Sequence, residues 1–502
     1  MSVLTSGLAD VVISHAKPGF SANHNSPRIR RLAITGAVLS IFIVALVVAP
    51  AAGRAADVKN YTRSEFNGWF AKYSQAKPDV RAGEVLGAKD LERIRPLVPP
   101  GFVEQLNFPE LKLRVVAARD HTPRRDYMEC TEKYQAQVRL EPDGALANHV
   151  CGQPFADATL DPSDPSSGIK AAWNFIYRWQ NYGQLILNLT LVYDRFGGGH
   201  SGQAPTAIES PPHELIEGIN YHTGLPTDVA NFYGGGGTFE RMVNAFYERV
   251  YFSHLAQRAE AGGVLGTADA KDFLWKEYIG FFSPYDMRGQ AVIIYRYADS
   301  HRADDSWVYD AKLRRVRRIS AEVKSDSVVG TDQTFDDLYT FSGRELLWKW
   351  KFLGWKDLLC VMDAQNEYQH FYGPNGTIPD DVWSVRRFAA IERRPTLPNH
   401  PYSSVVTFWD AQNWHPWLSL AFNRQGKLWK VWVYQSKWSE DFQGWGELIH
   451  GVATTAPLGD VVTDVQNERA TVASEYGVGY PVVTAARAAA LFDVSKLEEV
   501  HR

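Results

Sequence analysis

Residues 281–357 read FFSPYDMRGQAVIIYRYADSHRADDSWVYDAKLRRVRRISAEVKSDSVVGTDQTFDDLYTFSGRELLWKWKFLGWKD. Apolar and polar residues alternate through much of this stretch, and turn residues break it into short runs. A period of two is the mark of a strand with one covered face. Ala291–Tyr297, Ser306–Tyr309, Val316–Val323, Asp337–Phe341 and Leu347–Phe352 are the expected strands. The stretch holds no nucleophile–base pair and no metal-ligand spacing. It reads as a sheet built to carry something rather than to catalyse.

The pattern continues downstream in Trp383–Ile391, Ser404–Asp410, Leu418–Asn423 and Trp429–Tyr434, with turns at Asn375-Gly376 and Gln425-Gly426. Short strands at close spacing predict an antiparallel sheet that curls or closes. The strand–helix alternation of a parallel α/β fold is missing, and no period of 20–50 residues repeats. The expected class is mainly β with flanking helices (α+β).

Two groups of side chains stand out in the opening stretch. Arg314, Arg315, Arg317 and Arg318 surround Val316, so on a strand they fall on both faces and one pair is expected inside or along a covered edge. Asp326, Asp332, Asp336 and Asp337 follow within about 20 residues and suit bidentate pairing. A register-fixing salt-bridge lattice is one reading. An anionic headgroup site using Arg315 and Arg318, or a docking surface, is the other. The aromatics are the complement. Trp307 and Tyr309 share one face of a strand, and Trp348, Trp350 and Phe352 share one face of another. A curved face so lined could hold acyl chains, at about 0.8 kcal/mol per buried CH₂. Coverage of that face by helices is the plainer alternative.

Outward from this core the text changes. From Tyr61 to Leu97 it is helical, with Phe66, Trp69, Phe70 and Tyr73 at three- and four-residue spacing. Trp173, Phe175, Tyr177 and Trp179 recur at period two, which predicts one or two long strands over Trp173–Tyr193. Residues 194–240 are rich in Gly and Pro and read as a surface excursion. Residues 241–275 fit helix and strand equally. Residues 484–497 read as a helical or mixed cap. The expected organisation is an N-terminal targeting segment at 1–56, a helical segment at 57–110, a sheet domain at 111–440 and a C-terminal cap at 441–502.

Arg28, Arg30 and Arg31 precede an uncharged run from Leu32 to Val48, followed by Pro50, Ala51, Ala52, Gly53, Arg54 and Ala55. This is the order of a secretory signal, with cleavage expected after Ala55. Left uncleaved, the run is barely long enough to anchor the chain in a bilayer. Either way the remainder lies outside the cytoplasm. There, a Cys130–Cys151 bridge would close a loop of about 20 residues, worth roughly 3 kcal/mol. Two reduced, buried thiols are the alternative, and Cys360 sits in the apolar context DLLCVMD.

Composition excludes some classes. The chain has 502 residues, 45% hydrophobic, and a net charge of −4, which gives no footprint for nucleic acid. Gly199-His200-Ser201-Gly202-Gln203 departs from a nucleophile elbow at its fifth residue, and Phe232-Tyr233 before four glycines lacks a following Lys-Ser/Thr. His213-Glu214 has no second His at metalloprotease spacing. Asp304-Asp305 and Asp336-Asp337 suit solvated turns better than a Ca²⁺ loop. Asp305 and Asp337 would be the acid/base pair if the chain were an envelope hydrolase. No cofactor is expected.

Several stretches carry a resemblance. They are PYDMRGQAVIIYRYAD, DDSWVYDAKLRRVRRISAEVKSDSVVGTDQTFDDLYTFSG, VLGAKDLERIRPLVPPG, CGQPFADATLDPSDPSSGIKAAWNF and WDAQNWHPWLSLAFNRQGKLWK. Together they resemble a bacterial family of uncharacterised function, often labelled outer-membrane lipoprotein-sorting protein, that is similar to the periplasmic lipoprotein carriers of the Lol type. The resemblance covers most of residues 80–440. It implies an incomplete antiparallel β-barrel covered by helices. It also implies the periplasm of a Gram-negative envelope and a lipid or acylated lipoprotein as cargo. An inner-membrane transporter and an outer-membrane protein are the implied partners. An adaptor subunit of an export complex, with residues 197–237 as docking arm, is the competing reading. No catalytic residue carries over.

Overall fold

In the computed structural model, the described residues are 58–179, 183–197, 238–319, 327–367, 369–442 and 452–497. The expected targeting segment, and nearly all of the Gly/Pro-rich excursion with Ser201 and His213-Glu214, lie outside them.

The alternating stretches form strands that join one large curved mixed sheet, not closed into a barrel. In chain order the short early strands are β1 (Val85–Leu86), β2 (Leu113–Val115), β3 (Arg139–Leu140) and β4 (Leu146–Ala147). The first long run is β5 (Gln184–Arg195), β6 (Thr238–Tyr251), β7 (Phe273–Ser283), β8 (Ala291–Tyr297), β9 (Asp305–Asp310) and β10 (Arg315–Ile319). Then follow β11 (Trp348–Cys360), β12 (Phe371–Tyr372), β13 (Ile378–Pro379), β14 (Val382–Pro395), β15 (Tyr402–Asp410), β16 (Pro416–Asn423) and β17 (Leu428–Trp438). The last two are β18 (Thr455–Asp464) and β19 (Arg469–Gly479). The main sheet runs β1-β2-β14-β15-β16-β17-β18-β19-β5-β6-β7-β8-β9-β10, with β11 beside β14. Its long strands are antiparallel, and the parallel step is β2 on β14.

Helices cover both faces. In α1 (Arg63–Tyr73), Thr62 and Glu65 cap each other: the Thr62 N–H donates to Glu65 Oε2 at 2.8 Å and the Glu65 N–H to Thr62 Oγ1 at 3.3 Å. Phe66 of α1 meets Phe408 and Phe422, with ring centroids 6.3 and 6.5 Å apart. Phe175 of α3 (Ser167–Ile176) stacks 4.2 Å from Trp409. Phe408 and Trp409 are neighbours in one strand and point to opposite faces. So α1 covers one face and α3 the other. Between them in sequence lies α2 (Arg125–Tyr134), whose Cys130 is bridged to Cys151 with Cα atoms 5.8 Å apart, as the spacing allowed. Cys360 is a buried free thiol.

Four expectations are corrected. Residues 167–176 are helix, and the strand starts only at Gln184. Ala171, Ala172, Trp173, Asn174 and Phe175 are all buried, so α3 lacks the polar stripe that marks a helix in sequence. Asp337–Phe341 is no strand: residues 338–340 form a 3₁₀ turn with Tyr339 and Thr340 at φ +55° and +65°. The sheet does not end at residue 440. Strands β18 and β19 lie in its centre, and β19 joins β5 across eight or more register pairs, so only α4 (Ala485–Leu491) and its neighbours cap the chain. Finally, Arg314, Arg315, Arg317 and Arg318 are all exposed. They sit on or beside β10, the terminal strand of the sheet, where charge discourages edge-to-edge pairing.

Candidate functional site: a strap over one sheet face

The described part of the chain between β10 and β11 crosses the face that α3 shares. We refer to its residues 327–347 as the strap. Its buried side chains are mostly polar: Thr331, Asp332, Gln333, Thr334, Asp337 and Thr340. Thr331 and Thr334 bond within the strap, to the Val328 carbonyl and Asp337, and the other four find partners on the sheet. Asp332 accepts from Arg469 Nε at 2.6 Å and from Thr471 Oγ1 at 3.1 Å, both on β19. Gln333 Nε2 donates to Asp460 of β18 at 2.7 Å. Asp337 accepts from Arg393 Nη2 of β14 and from the Tyr402 hydroxyl of β15, each at 2.7 Å. Trp409 Nε1 donates to Thr340 Oγ1 at 2.9 Å. The strap is pinned by hydrogen bonds at its buried polar positions rather than by a large apolar interface.

Register identifies what lies beneath. Tyr434, Asp460, Ala473 and Leu191 are successive cross-strand partners from β17 to β5, and Leu187, Tyr247 and Ile279 form a second row. With Leu189, Phe281 and Glu475 they line a cavity of about 50 Å³ closed by Val328, Gln333, Leu338 and Tyr339 of the strap. A second cavity of about 60 Å³ lies on the other side of Tyr339 and Tyr434, which line both. Its walls include Arg178, Arg249, Tyr251, His415, Gln435 and Tyr480.

The electrostatics of this layer follow from burial. Desolvation pushes the Glu475 carboxyl up to about 8, helped by the nearby Asp460. It pushes Asp460 up to about 7 against hydrogen bonds that include Trp432 Nε1 at 2.7 Å. Both acids are therefore held largely in their neutral form at modest pH. Burial, and then the Arg178 charge, hold His415 well below the ordinary imidazole range. Arg249 is different, because its Nη2 bonds Glu277 at 2.6 Å and its guanidinium lies 4.2 Å over the Trp275 ring.

The residues singled out in the sequence do not come together. Trp307 and Tyr309 continue, through Ile293 and Ala291, the row of Tyr278 and Gly280, whose neighbour Ile279 faces the strap. They therefore lie on the opposite face, where Trp307 packs 4.8 Å from Tyr295. Trp350 and Phe352 pair with Arg393 and Ile391 on the strap face, and Trp350 meets Phe341 of the strap at 4.8 Å. Arg315 and Arg318 are exposed at the far edge, Arg318 paired with Asp305. The expected lattice from Asp332 and Asp337 goes instead to Arg469 and Arg393. Asp305 bonds the Tyr297 hydroxyl at 2.6 Å and Asp337 bonds Arg393, so these two acids form no facing pair. The strap-face residues that sequence reading missed are Arg178, Tyr339, Tyr434 and Glu475, scattered over some 300 positions with no motif to link them. Among the described residues no group of three or more His, Cys, Asp or Glu could hold a metal ion, and no helix is long and apolar enough to cross a membrane.

Three solved structures are similar to this chain. A domain described as an outer membrane lipoprotein-sorting protein from Vibrio parahaemolyticus is 15% identical, with a TM-score of 0.40, covering 67% of this chain and 100% of its own. A DUF1329 family protein from Desulfovibrio piger is 16% identical, with a TM-score of 0.39 and the same coverage. A LolA superfamily protein from Nitrosomonas europaea is 11% identical, with a TM-score of 0.30, covering 63% of this chain and 93% of its own. No curated protein matches the chain. Residues 85–202 and 237–497 match the family model described as "Protein of unknown function (DUF1329)", and the chain belongs to that family.

Proposed function

We propose that the protein is a periplasmic carrier that takes up the acyl part of a lipid or acylated lipoprotein on the strap-covered face. The observation that carries this reading is the way the strap is held over an apolar patch. Val328, Leu338 and Tyr339 of the strap cover Leu187, Leu189, Leu191, Ile279 and Phe281 of the sheet, while the ties that hold it down are hydrogen bonds from Asp332, Gln333 and Asp337 to polar sheet residues. Exchanging the strap's hydrogen bonds for water costs about 0.5–1.5 kcal/mol for a neutral bond and about 1.5–3 kcal/mol for one to a charged group, whereas apolar surface gains from an apolar ligand. Cavities of about 50 and 60 Å³ hold a few waters and no acyl chain, so loading requires the strap to lift. Trp350 and Phe352, beside the strap, are the aromatic contacts in this reading, while Trp307 and Tyr309 serve the opposite core. The motif resemblance supports the same class of cargo. Shuttling between an inner-membrane transporter and an outer-membrane protein belongs to the proposal as its route.

Hydrogen exchange tests the loading step. Addition of a palmitoyl lysophospholipid should deprotect amides in residues 327–347 while β17, β18 and β19 stay protected. Lipid uptake with an unchanged strap contradicts the reading.

A further inference from the structure

The cavity of about 60 Å³ has an unbalanced charge. Arg178 follows the last turn of α3 and its Nη1 donates to the Phe175 carbonyl at 2.8 Å, a helix C-cap. The guanidinium lies 4.4 Å over the Phe175 ring. Among the described residues no carboxylate pairs with it, and its electrostatic neighbours are Tyr251, Arg249, Tyr339 and Tyr434. Arg249, in the same wall, spends its charge on Glu277. The phenols of Tyr251, Tyr434 and Tyr480 line the remaining wall.

We infer that this cavity binds an oxyanion, phosphate or carboxylate, through the Arg178 guanidinium, with the phenols of Tyr251 and Tyr480 in the same wall. A tetrahedral oxyanion matches the volume of a few waters, and the Arg fork suits its geometry. The cavity adjoins the apolar one across Tyr339, so in the carrier reading, on which the lipid source rests, the anion is the headgroup of the cargo.

The test uses the full chain and calorimetric titration with inorganic phosphate, dodecyl phosphate and neutral dodecyl maltoside. The wild type should bind dodecyl phosphate more tightly than phosphate. Arg178→Gln should weaken both by about tenfold or more and leave dodecyl maltoside unchanged. The melting temperature of ligand-free Arg178→Gln should hold or rise, because a half-buried charge without a carboxylate partner is removed. Should that variant misfold, Arg178→Lys keeps the charge without the fork and should lose most of the affinity. Phosphate binding that depends on Arg178 but gains nothing from the alkyl chain supports the anion site and removes the acyl reading. Equal binding of all amphiphiles by wild type and variant overturns the anion site and leaves the carrier standing. A wild type that binds neither phosphate nor dodecyl phosphate also overturns it.

Discussion

Arg393 Nη2 lies 2.7 Å from Asp337 Oδ1, tying the strap to the C-terminal end of β14. Both side chains are buried, Arg393 completely. Burial lowers the proton affinity of the guanidinium and Asp337 restores part of it. Removing one member of such a pair leaves an uncompensated charge in a dry place. Asp337→Ala should therefore cost about 3–5 kcal/mol in urea unfolding. A cost below about 1 kcal/mol would mean that the pair is solvated and does not anchor the strap.

Glu475 gives the protein a pH dependence. Unfolded, it ionises near its ordinary 4.5, whereas folded it keeps its proton to about 8. Between those values only the folded state binds the proton, so this group's contribution falls as pH rises through the window and is flat above it. Glu475→Gln should flatten the difference in stability between pH 5 and pH 8 relative to wild type. Parallel profiles for the two proteins would contradict the burial assigned to this carboxyl.

Gly168 sets the distance between α3 and the sheet. A Cβ there would overlap the Lys351 nitrogen and the Trp350 carbonyl carbon, backbone atoms that cannot swing aside. Helix propensity favours alanine by up to about 1 kcal/mol, but overpacking against backbone costs about 1–3 kcal/mol. Gly168→Ala should consequently lower the melting temperature. A rise would show that α3 does not rest on β11 as described.

The Cys130–Cys151 bridge joins residues 21 apart. Replacing both by serine should cost roughly 3 kcal/mol, mainly through the freer unfolded chain. Chemical denaturation of the double variant measures it, and an unchanged midpoint would indicate that the bridge adds nothing to stability.

Sequence patterns revealed those strands that are apolar-rich runs set off by turn residues. Ala291–Tyr297 coincides with β8, and β14 to β17 contain the expected runs, although these strands are buried on both faces. The helix α3 was hidden because it is buried nearly all round, leaving its aromatics to imitate a strand. Strands β18 and β19 were hidden because Asp460 and Glu475 occupy inward positions and Gly459 interrupts the run, so the alternation failed where the site lies. The arginines of 314–318 were visible as chemistry, but their place at the sheet edge depends on strand order, which no local pattern encodes. Arg178 and Tyr434 belong to one cavity only because β17 and the end of α3 meet in space.

Native mass spectrometry of the protein purified from its own cells, followed by lipid extraction, tests the central claim most directly. The account predicts a bound acylated species of defined mass, carrying an acidic headgroup and absent from Arg178→Gln. A bare protein mass, with no uptake when lipid is titrated in, would contradict it.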